Sequence, residues 1–259
     1  MTNLPLSITI IVRNEAHNLP RVLASAQFAD EIIVVDDNSQ DGSTIVAKEY
    51  GAKVFNNKFL GFGQQKNYAA SQASHEWVFS IDADEEITPE LQKSITDIVL
   101  ANDKYPVFSV NRKTYFLGKF IRHGGWYPDI VPRLYRKSKV KFSEPKVHEI
   151  LVADDGAKPV LLSGSLNHFS FPSVESQVER NVRYAKLGAI ELLKKKGKPS
   201  FLSLFIRPGW KVFECLFLKR GILDGAAGIV IALNAGYSMF MKYSFAYFDL
   251  TNARNKIGE

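Results

Sequence analysis

The stretch EIIVVDD at residues 31–37 decides the fold, because an unbroken apolar run that ends in acids is typical of a buried strand in a parallel sheet. A similar run, SITIIV, occupies residues 7–12, and WVFSID follows at 77–82. A shorter strand is expected at 52–55. Helix-like spacing of apolar residues separates these runs. Strands that alternate with helices predict a largely parallel sheet with helices on both faces.

The expected helices of this first part have recognisable ends. Asn18 is predicted to cap a helix that reaches residue 28, and two more helices are expected at 41–50 and 63–73. The sequence TPE at 88–90 is a strong helix start, since it combines a Thr cap, a Pro in the first turn and an early acid.

Acidic residues follow two of the predicted strands, and ligands of parallel sheets bind beyond the carboxyl ends of the strands. In DADE at 82–85, Asp82 and Asp84 should project from the same side, because side chains alternate along a strand. Two carboxylates so placed suit Mg²⁺ or Mn²⁺. Such a cation would bridge the two phosphates of a nucleotide sugar and neutralise the charge of the leaving diphosphate. The alternative is a solvated turn before the next helix.

The loop DDNSQDGS at residues 36–43 offers carboxylates to a nucleobase N–H or a ribose hydroxyl. Asp41 is instead expected to cap the helix that follows. The first strand ends in RNE at 13–15, where a dinucleotide-binding fold would require a glycine-rich turn. Neither that turn nor a P-loop is present, which argues against a nicotinamide or flavin enzyme.

Three stretches, taken in order and spacing, resemble the family 2 glycosyltransferases: IIVRNE at 10–15, IVVDDNS at 33–39 with DGS at 41–43, and DADE at 82–85. The resemblance implies the α/β fold called type A, with a mostly parallel central sheet flanked by helices. In that family the acids after the second strand hold the nucleoside, and the Asp-x-Asp acids hold metal and diphosphate. The donor-binding residues expected here are Arg13, Glu15, Asp36, Asp37, Lys66 and Asp82.

Later segments resemble the bacterial branch that contains lipopolysaccharide-core β-1,4-glucosyltransferases: GFGQQKN at 61–67, GGWYPD at 124–129, RLYR at 133–136, VHE at 147–149 and LKRGILDG at 218–225. This resemblance implies inverting transfer of a hexose from a nucleoside-diphosphate sugar, expected to be a UDP-sugar. The acceptor would be lipid-linked or a lipopolysaccharide core.

Inverting transfer needs one general base to deprotonate the acceptor hydroxyl as it attacks the anomeric carbon. Glu149 is the candidate, because VHE stands where relatives carry a base-bearing acidic motif. Many relatives have Glu-Asp there and this chain has His-Glu, so either Glu149 is the base or His148 shares the work. The alternative is that Glu149 only pairs with a nearby Arg.

Four further side chains have both a functional and a structural interpretation. His168 could add a nitrogen ligand to the metal site of Asp82 and Asp84, or contact phosphate, or be a satisfied structural residue. Lys66 could meet the diphosphate as a point charge, or be a solvated helix lysine. Trp126 and Tyr127, beside flexible glycines, could stack on an acceptor sugar or pack in a core.

The second half of the chain changes in pattern. From about residue 105 to 168, short β-like stretches alternate with Gly and Pro turns, and we expect strands added to the same sheet. Ser173 is predicted to cap a helix that ends at KKKGKP, residues 194–199, because cations favour a helix C-terminus. The expected division is a catalytic domain at 1–172 and a helical, basic and apolar extension at 173–259, which associates with a membrane or forms an oligomer.

Composition and charge set the remaining expectations. The chain has 259 residues, of which 46% are hydrophobic and 23% charged, as in a folded globular protein, and a formal net charge of +6. Ten Lys or Arg and two Asp or Glu lie in residues 183–220. This basic, aromatic region favours a membrane surface over nucleic acid, since no nucleic-acid-binding module accompanies it. A helical bundle with a solvated basic face is the alternative.

The single cysteine, Cys215, fits a reducing compartment, and no signal peptide is recognised. The expected location is therefore the cytoplasm, peripheral on the inner face of the cytoplasmic membrane, where a homo-oligomer is possible. Two other functions were considered for the chain. A nucleotidyltransferase on a related fold would favour a glycine-rich, Arg-containing phosphate loop after the first strand, which RNE does not supply. A non-catalytic scaffold would not need the acids at Asp37, Asp82, Asp84 and Glu149.

Overall fold

The structure is a computed structural model that describes residues 4–143 and 150–249. It divides into two compact units, one of Met1–Arg112 with Asp129–His168, the other of Lys113–Pro128 with Phe169–Glu259. The expected boundary after residue 172 thus falls close to the second junction. The sequence did not separate 113–128, which joins the C-terminal unit because Phe116 and Ile121 pack in one cluster with Ala227 and Ile231.

The strands of the described residues are β1 (Leu6–Val12), β2 (Glu31–Asp36), β3 (Lys53–Asn56), β4 (Trp77–Asp82), β5 (Glu85–Ile87), β6 (Val107–Phe116), β7 (Lys119–Phe120), β8 (Asp129–Arg136), β9 (Val140–Phe142), β10 (Leu151–Ala153) and β11 (Val160–His168). The helices are α1 (Leu19–Ala26), α2 (Ser43–Glu49), α3 (Phe62–Ser71), α4 (Pro89–Leu100), α5 (Val174–Lys196), α6 (Ser203–Phe213) and α7 (Gly225–Ser244). A π-helical turn, Glu214–Leu218, extends α6, and a 3-10 turn, Gly221–Asp224, precedes α7.

The main sheet has the order β3-β2-β1-β4-β8-β6-β11-β5. Strand β1 pairs in parallel with β2 and β4, and β2 with β3. In contrast β8 runs antiparallel to β4 and β6, and β11 antiparallel to β5. Of the strands after residue 105, β6, β7, β8 and β11 join this sheet, as predicted, and make it mixed rather than mostly parallel, whereas β9 and β10 pair with each other in a separate two-stranded sheet.

Burial explains why the first strands read as unbroken apolar runs. All six residues of β2 are buried, because helices cover both faces of this part of the sheet. Ile8 and Ile10 face a cluster that includes Leu23 of α1 and Leu91 of α4. On the other face, Ile33 and its neighbours pack with Ala69 of α3 and other residues. The expected layered α/β architecture is confirmed.

Two of the four side-chain helix caps predicted from the sequence, those of Thr88 and Ser173, are confirmed. Thr88 Oγ1 accepts from the backbone N–H of Leu91 at 3.4 Å, and Ser173 makes a reciprocal capping box with Ser176. The prediction for Asn18 was wrong in mechanism: it occupies the cap position of α1 but its Nδ2 donates to Glu15 Oε2 at 2.8 Å. Because the Asn18 side chain is hydrogen-bonded to Glu15, it does not cap the helix.

The C-terminal unit is helical, as expected. Asp224 at the start of α7 is buried, and its Oδ2 accepts from the backbone N–H groups of Arg122 and His123 at 3.2 and 2.8 Å. Gly225–Ser244 and its flanking turns form the one helical stretch of the described residues, Gly221–Phe248, that is long and apolar enough to cross a membrane by length and composition.

Candidate active site

The parallel register brings the carboxyl ends of three strands to one edge of the sheet. Val12 of β1 lies opposite Asp36 of β2, and Ile11 lies opposite Asp82 of β4. The last residues of these strands, with the loops that follow them, carry six of the eight donor and metal residues predicted from the sequence. The edge is where ligands of parallel sheets bind.

Side chains of the second loop fix the first loop in place. The backbone N–H of Glu15 donates to Ser43 Oγ at 2.9 Å, and that of Ala16 donates to Asp41 Oδ2 at 2.9 Å. Asp41 Oδ1 also accepts from the backbone N–H of Ser43, the first residue of α2, at 3.1 Å. Asp41 and Ser43 thus hold the loops together, and Asp41 is structural, although it lies one residue before the cap position.

The two acids at the end of β2 are buried, and one of them is incompletely satisfied. Asp37 Oδ2 pairs with Arg13 Nη1 at 3.0 Å, and its Oδ1 accepts from the backbone N–H of Phe59 at 3.1 Å. Asp36 Oδ2 accepts from Ser39 N–H at 3.0 Å, whereas its buried Oδ1 has no hydrogen-bond partner in the described structure. A buried acceptor without a donor costs about 1–3 kcal/mol, and native structures tolerate few of them.

Both carboxylate oxygens of Asp82 are held by cations. Lys66 Nζ lies 3.1 Å from Oδ1, and Arg133 Nη2 lies 2.6 Å from Oδ2. Burial opposes ionisation of Asp82, but the charges of Arg133 and Lys66 outweigh it and hold the pKa of Asp82 well below its usual range. Lys66 is only 7% exposed, so it is not the solvated helix lysine of the alternative interpretation.

Glu85 is the centre of a charge network that includes Arg133 and Arg112. Its side chain is fully buried, and Oε1 lies 2.6 Å from Arg133 Nη2 and 3.3 Å from Arg112 Nη1. Its Oε2 accepts the backbone N–H of Asp82 at 3.0 Å. Arg112 also pairs with Asp129 at 2.8 Å. These residues were not assigned a role from the sequence; the one available signal was Arg133 inside the apolar strand β8.

Asp84 faces a different partner from Asp82. Its Oδ2 lies 3.3 Å from His168 Nε2, and the two side chains are 23% and 11% exposed. Within residues 4–143 and 150–249, no three His, Cys, Asp or Glu side chains gather into a group that could hold a metal by themselves. The structure therefore brings together two of the three predicted ligands, Asp84 and His168, and turns Asp82 toward Lys66 and Arg133.

Glu15 belongs to the same acidic edge. Burial raises the pKa of its carboxyl; the hydrogen bond from Asn18 opposes this shift, and the negative charge of Asp84 adds to it. The expectation that the end of β1 and the Asp-x-Asp loop share one site agrees with this interaction.

Four predicted residues remain, the candidate bases Glu149 and His148 and the aromatic pair Trp126 and Tyr127. Glu149 and His148 are outside the described residues, so the base remains a prediction. Trp126 and Tyr127 are half-buried in the second unit. The Trp126 ring packs against Phe116 and Phe171, with centroids 5.5 and 5.3 Å apart, which is a core contact.

Comparison with known proteins identifies the kind of enzyme. The family model "Glycosyl transferase family 2" matches residues 7–150, more than half of the chain. The chain belongs to glycosyl transferase family 2. The glycosyltransferase type A fold and the enzyme class expected from the sequence are thereby confirmed, and the nucleotidyltransferase and scaffold alternatives are set aside.

Similar proteins span nearly the whole transferase. It is 28% identical to the lipopolysaccharide core biosynthesis glycosyltransferase LpsC of Rhizobium meliloti, over 94% of this chain and 92% of that protein. An uncharacterised glycosyltransferase of Rickettsia prowazekii is 30% identical over 92% of this chain and 85% of its own length. Among solved structures, a mannosyltransferase of Pyrobaculum calidifontis in complex with GDP-Man and Mn²⁺ matches with a TM-score of 0.48 and 15% identity, over 100% of this chain and 80% of that one.

Proposed function

We propose that this family 2 transferase is inverting and moves a hexose from a nucleoside-diphosphate sugar, a UDP-sugar in our expectation, to a lipid-linked or lipopolysaccharide-core acceptor. The observation that carries the proposal is the shared edge of β1, β2 and β4, where register places Asp36 and Asp82 beside the end of β1. The similarity to LpsC over nearly both whole chains supports a cell-envelope acceptor.

The donor is assigned to this edge by chemistry. Asp36 and Asp37 offer carboxylate oxygens to the N–H and hydroxyl groups of a nucleoside, and the unpartnered Asp36 Oδ1 lacks a donor that such a group would supply. Arg13, which is exposed beyond its contact with Asp37, can reach the nucleotide from the rim. Lys66 and Arg133 bring positive charge toward the diphosphate, and Asp82 holds both in position.

The pair Asp84 and His168 fits a divalent cation that shares its coordination with a diphosphate. Mg²⁺ in such sites takes one or two carboxylates and fills its other positions with phosphate oxygens and water, so a cluster of three protein ligands is not required. Bound there, the cation would stabilise negative charge on the leaving diphosphate. Asp82 would act on the site only through Lys66 and Arg133, which changes the metal role predicted for it.

The transfer itself is a single displacement. The acceptor oxygen forms a bond to the anomeric carbon while the bond to the diphosphate oxygen breaks, and the acceptor proton passes to a base. Glu149, with or without His148, remains our proposed base. The nucleoside diphosphate leaves with the electron pair of the broken bond, toward the positive charge of Lys66 and Arg133.

The acceptor side and the location complete the proposal. Tyr127, with the outer edge of Trp126, is proposed to contact the acceptor sugar, since aromatic rings offer both an apolar face and a polar edge. A lipid-linked acceptor places the enzyme at a membrane, which we propose is the inner face of the cytoplasmic membrane. The basic C-terminal region supports this location.

The proposal is tested by donor binding and turnover. UDP-, GDP-, CMP- and dTDP-sugars are screened by thermal shift with and without Mn²⁺, and the correct donor at 100 times its Kd should stabilise the protein by about 2.7 kcal/mol. Asp84→Asn should remove the Mn²⁺-dependent part of that stabilisation and reduce turnover by about 100-fold or more.

Asp97→Asn is the matched control, since Asp97 is an exposed aspartate of α4 whose pairing with Lys93 has no part in the site. It should leave binding and turnover unchanged. Turnover within about twofold of wild type in Asp84→Asn, or no stabilisation by any sugar nucleotide, would disprove the proposed site.

A further inference from the structure

Helix α6 and its π-helical extension expose an apolar stripe to solvent. Leu202, Ile206, Trp210, Phe213 and Phe217 recur at intervals of three or four residues, the spacing of one helical face. Each is between 45% and 64% exposed. The opposite face is already used, because Leu204 and Cys215 are buried.

A second exposed stripe on α7 borders the first. It consists of Ile229, Leu233, Tyr237 and Phe240, between 38% and 56% exposed. An apolar groove of about 370 Å³ separates the two helices, lined by Phe205 and Pro208 of α6 and by Leu233, Tyr237 and Phe240 of α7, among others. We call the two stripes with this groove the apolar face. Contiguous exposed surfaces of this kind mark interaction sites in soluble proteins.

The charge around the apolar face indicates what covers it. Residues 194–220 hold eight Lys or Arg and one Glu, and Arg207 and Arg220 are exposed within or beside the stripe of α6. Aromatic and aliphatic side chains on one face with Lys and Arg beside them are the pattern of helices that lie in a membrane interface. We propose that the apolar face docks on the surface of a bilayer that contains anionic lipids, with α6 and α7 lying in the interface.

The packing of α7 explains why it lies in the interface instead of spanning the bilayer. Asn234 Nδ2 donates to Gln177 Oε1 of α5 at 2.6 Å, and Ser238 Oγ donates to the carbonyl of Asn181 at 3.4 Å. Helix α5 carries three Glu, two Arg and four Lys. A spanning α7 would either lose these contacts or draw α5 into hydrocarbon, where charged groups are very costly. Docking by one side keeps α5 in water.

A second copy of the chain is a poorer occupant than a lipid surface. A two-fold dimer buries the same patch on both partners, so the basic residues 194–220 of one copy would face those of the other. Like charges brought together in this way oppose association. Anionic lipid head groups reverse the sign of that interaction, and each Lys or Arg near such a surface adds attraction.

The test is vesicle flotation with the full chain. Vesicles of phosphatidylcholine alone and of phosphatidylcholine with phosphatidylglycerol are compared for wild type and for Ile206→Glu and Trp210→Glu. Leu100→Glu is the matched control, because Leu100 lies on α4 in the other unit and has the same 63% exposure as Ile206. We expect wild type to bind the anionic vesicles and each α6 variant to bind them about tenfold more weakly, with Leu100→Glu unchanged. Added salt should weaken binding by wild type.

Two results would overturn the inference. One is vesicle binding that is absent in wild type, or equal in all four proteins. The other is a lipid-free dimer, measured by sedimentation velocity, that Ile206→Glu dissociates, since the face would then belong to a second copy. The inference rests on the proposed function in one respect: the lipid-linked acceptor is the reason for the enzyme to be at a membrane. Donor-induced thermal shifts are therefore recorded on the same variants: if donor binding persists while vesicle binding fails, the docking surface is wrong and the transferase proposal stands.

Discussion

Buried carboxylates lie at both ends of the parallel strands, and they differ in how completely the protein supplies them with hydrogen-bond donors. At the amino end, Glu31 is 6% exposed and accepts from Lys53 Nζ at 2.7 Å, Ser7 Oγ at 2.5 Å and the Ser74 N–H at 2.8 Å. Burial alone would raise the pKa of Glu31, but the hydrogen bonds from these three residues lower it to about 2. Every oxygen of this carboxylate has a donor from the protein.

At the carboxyl end one of the buried acids lacks a donor. Asp36 Oδ1 is buried without a partner, and the pKa of Glu15 is raised by burial with a further contribution from Asp84. Asp84 itself is paired with His168, which is also one of the side chains suited to a metal. The contrast distinguishes two cases: Glu31, whose oxygens all have donors, supports the sheet, whereas Asp36 keeps one oxygen that a ligand can satisfy.

The largest effect on stability is expected from the buried charge network around Glu85. Glu85→Gln removes the negative charge between Arg133 and Arg112 and leaves one buried and one half-buried guanidinium group with fewer carboxylates to pair with. Breaking a buried ion pair from one side costs about 3–5 kcal/mol. The free energy of unfolding, measured by urea denaturation, should fall by that amount.

Glu86→Gln is the control for this variant. Glu86 is the next residue, half-exposed, and its Oε2 accepts from Asn167 Nδ2 at 2.9 Å, a bond that an amide can keep. Its loss of stability should be about 1 kcal/mol or less. Equal effects of the two substitutions would mean that Glu85 is not the centre of a buried network.

The sequence was sufficient for the layered fold and for the position of the acids at one edge of the sheet, because both depend on short-range patterns. The runs at residues 7–12, 31–36 and 77–82 are buried on both faces, so their strand character is visible without knowledge of the partners. Parallel pairing then places the ends of the strands together. The acids at residues 36, 37, 82 and 84 could be assigned to one edge for that reason.

The partners of those acids could not be predicted, because they depend on contacts distant in the chain. Arg133 reaches Asp82 from β8, an antiparallel neighbour of β4 whose register the sequence does not reveal. Both Asp82 and Asp84 fitted the same Asp-x-Asp motif, and only the position of Arg133 and of His168 distinguishes them.

An intermediate effect is expected at the amino end of the sheet, where the satisfied carboxylate should be visible as a pH dependence. The pKa of Glu31 is lowered to about 2 in the folded protein from its ordinary value of 4.5, so its contribution is fully present above pH 4.5 and is lost as pH falls toward 2. Glu31→Gln should therefore cost about 2–3 kcal/mol at pH 7, and the cost should shrink as the pH falls through that window.

The exposed Glu49→Gln on α2 serves as the control and should show no such pH dependence. Lys53→Met should reproduce part of the loss seen at pH 7, because Lys53 supplies one of the donors to Glu31. A Glu31→Gln penalty that is constant between pH 7 and pH 3 would contradict the assignment of this carboxylate as a structural acid.

The smallest change in stability, and the opposite sign, is expected at Glu15. Its pKa is raised by burial, so the folded state is penalised when Glu15 is ionised, and the penalty disappears as pH falls through the raised pKa. Glu15→Gln keeps an oxygen for Asn18 Nδ2 and removes the charge. The melting temperature of the ligand-free variant should therefore rise slightly at pH 7, and this gain should vanish at acidic pH.

The same substitution should weaken donor binding by about tenfold, since a hydrogen bond to a charged group contributes about 1.5 kcal/mol or more. A variant that gains stability and loses donor affinity identifies a residue that serves binding and destabilises the fold. Glu31→Gln should do the reverse and leave donor affinity unchanged in the protein that remains folded. If Glu15→Gln lowers the melting temperature and leaves donor affinity intact, Glu15 belongs with Glu31 among the structural acids, and the carboxyl edge of β1 is not part of the donor site.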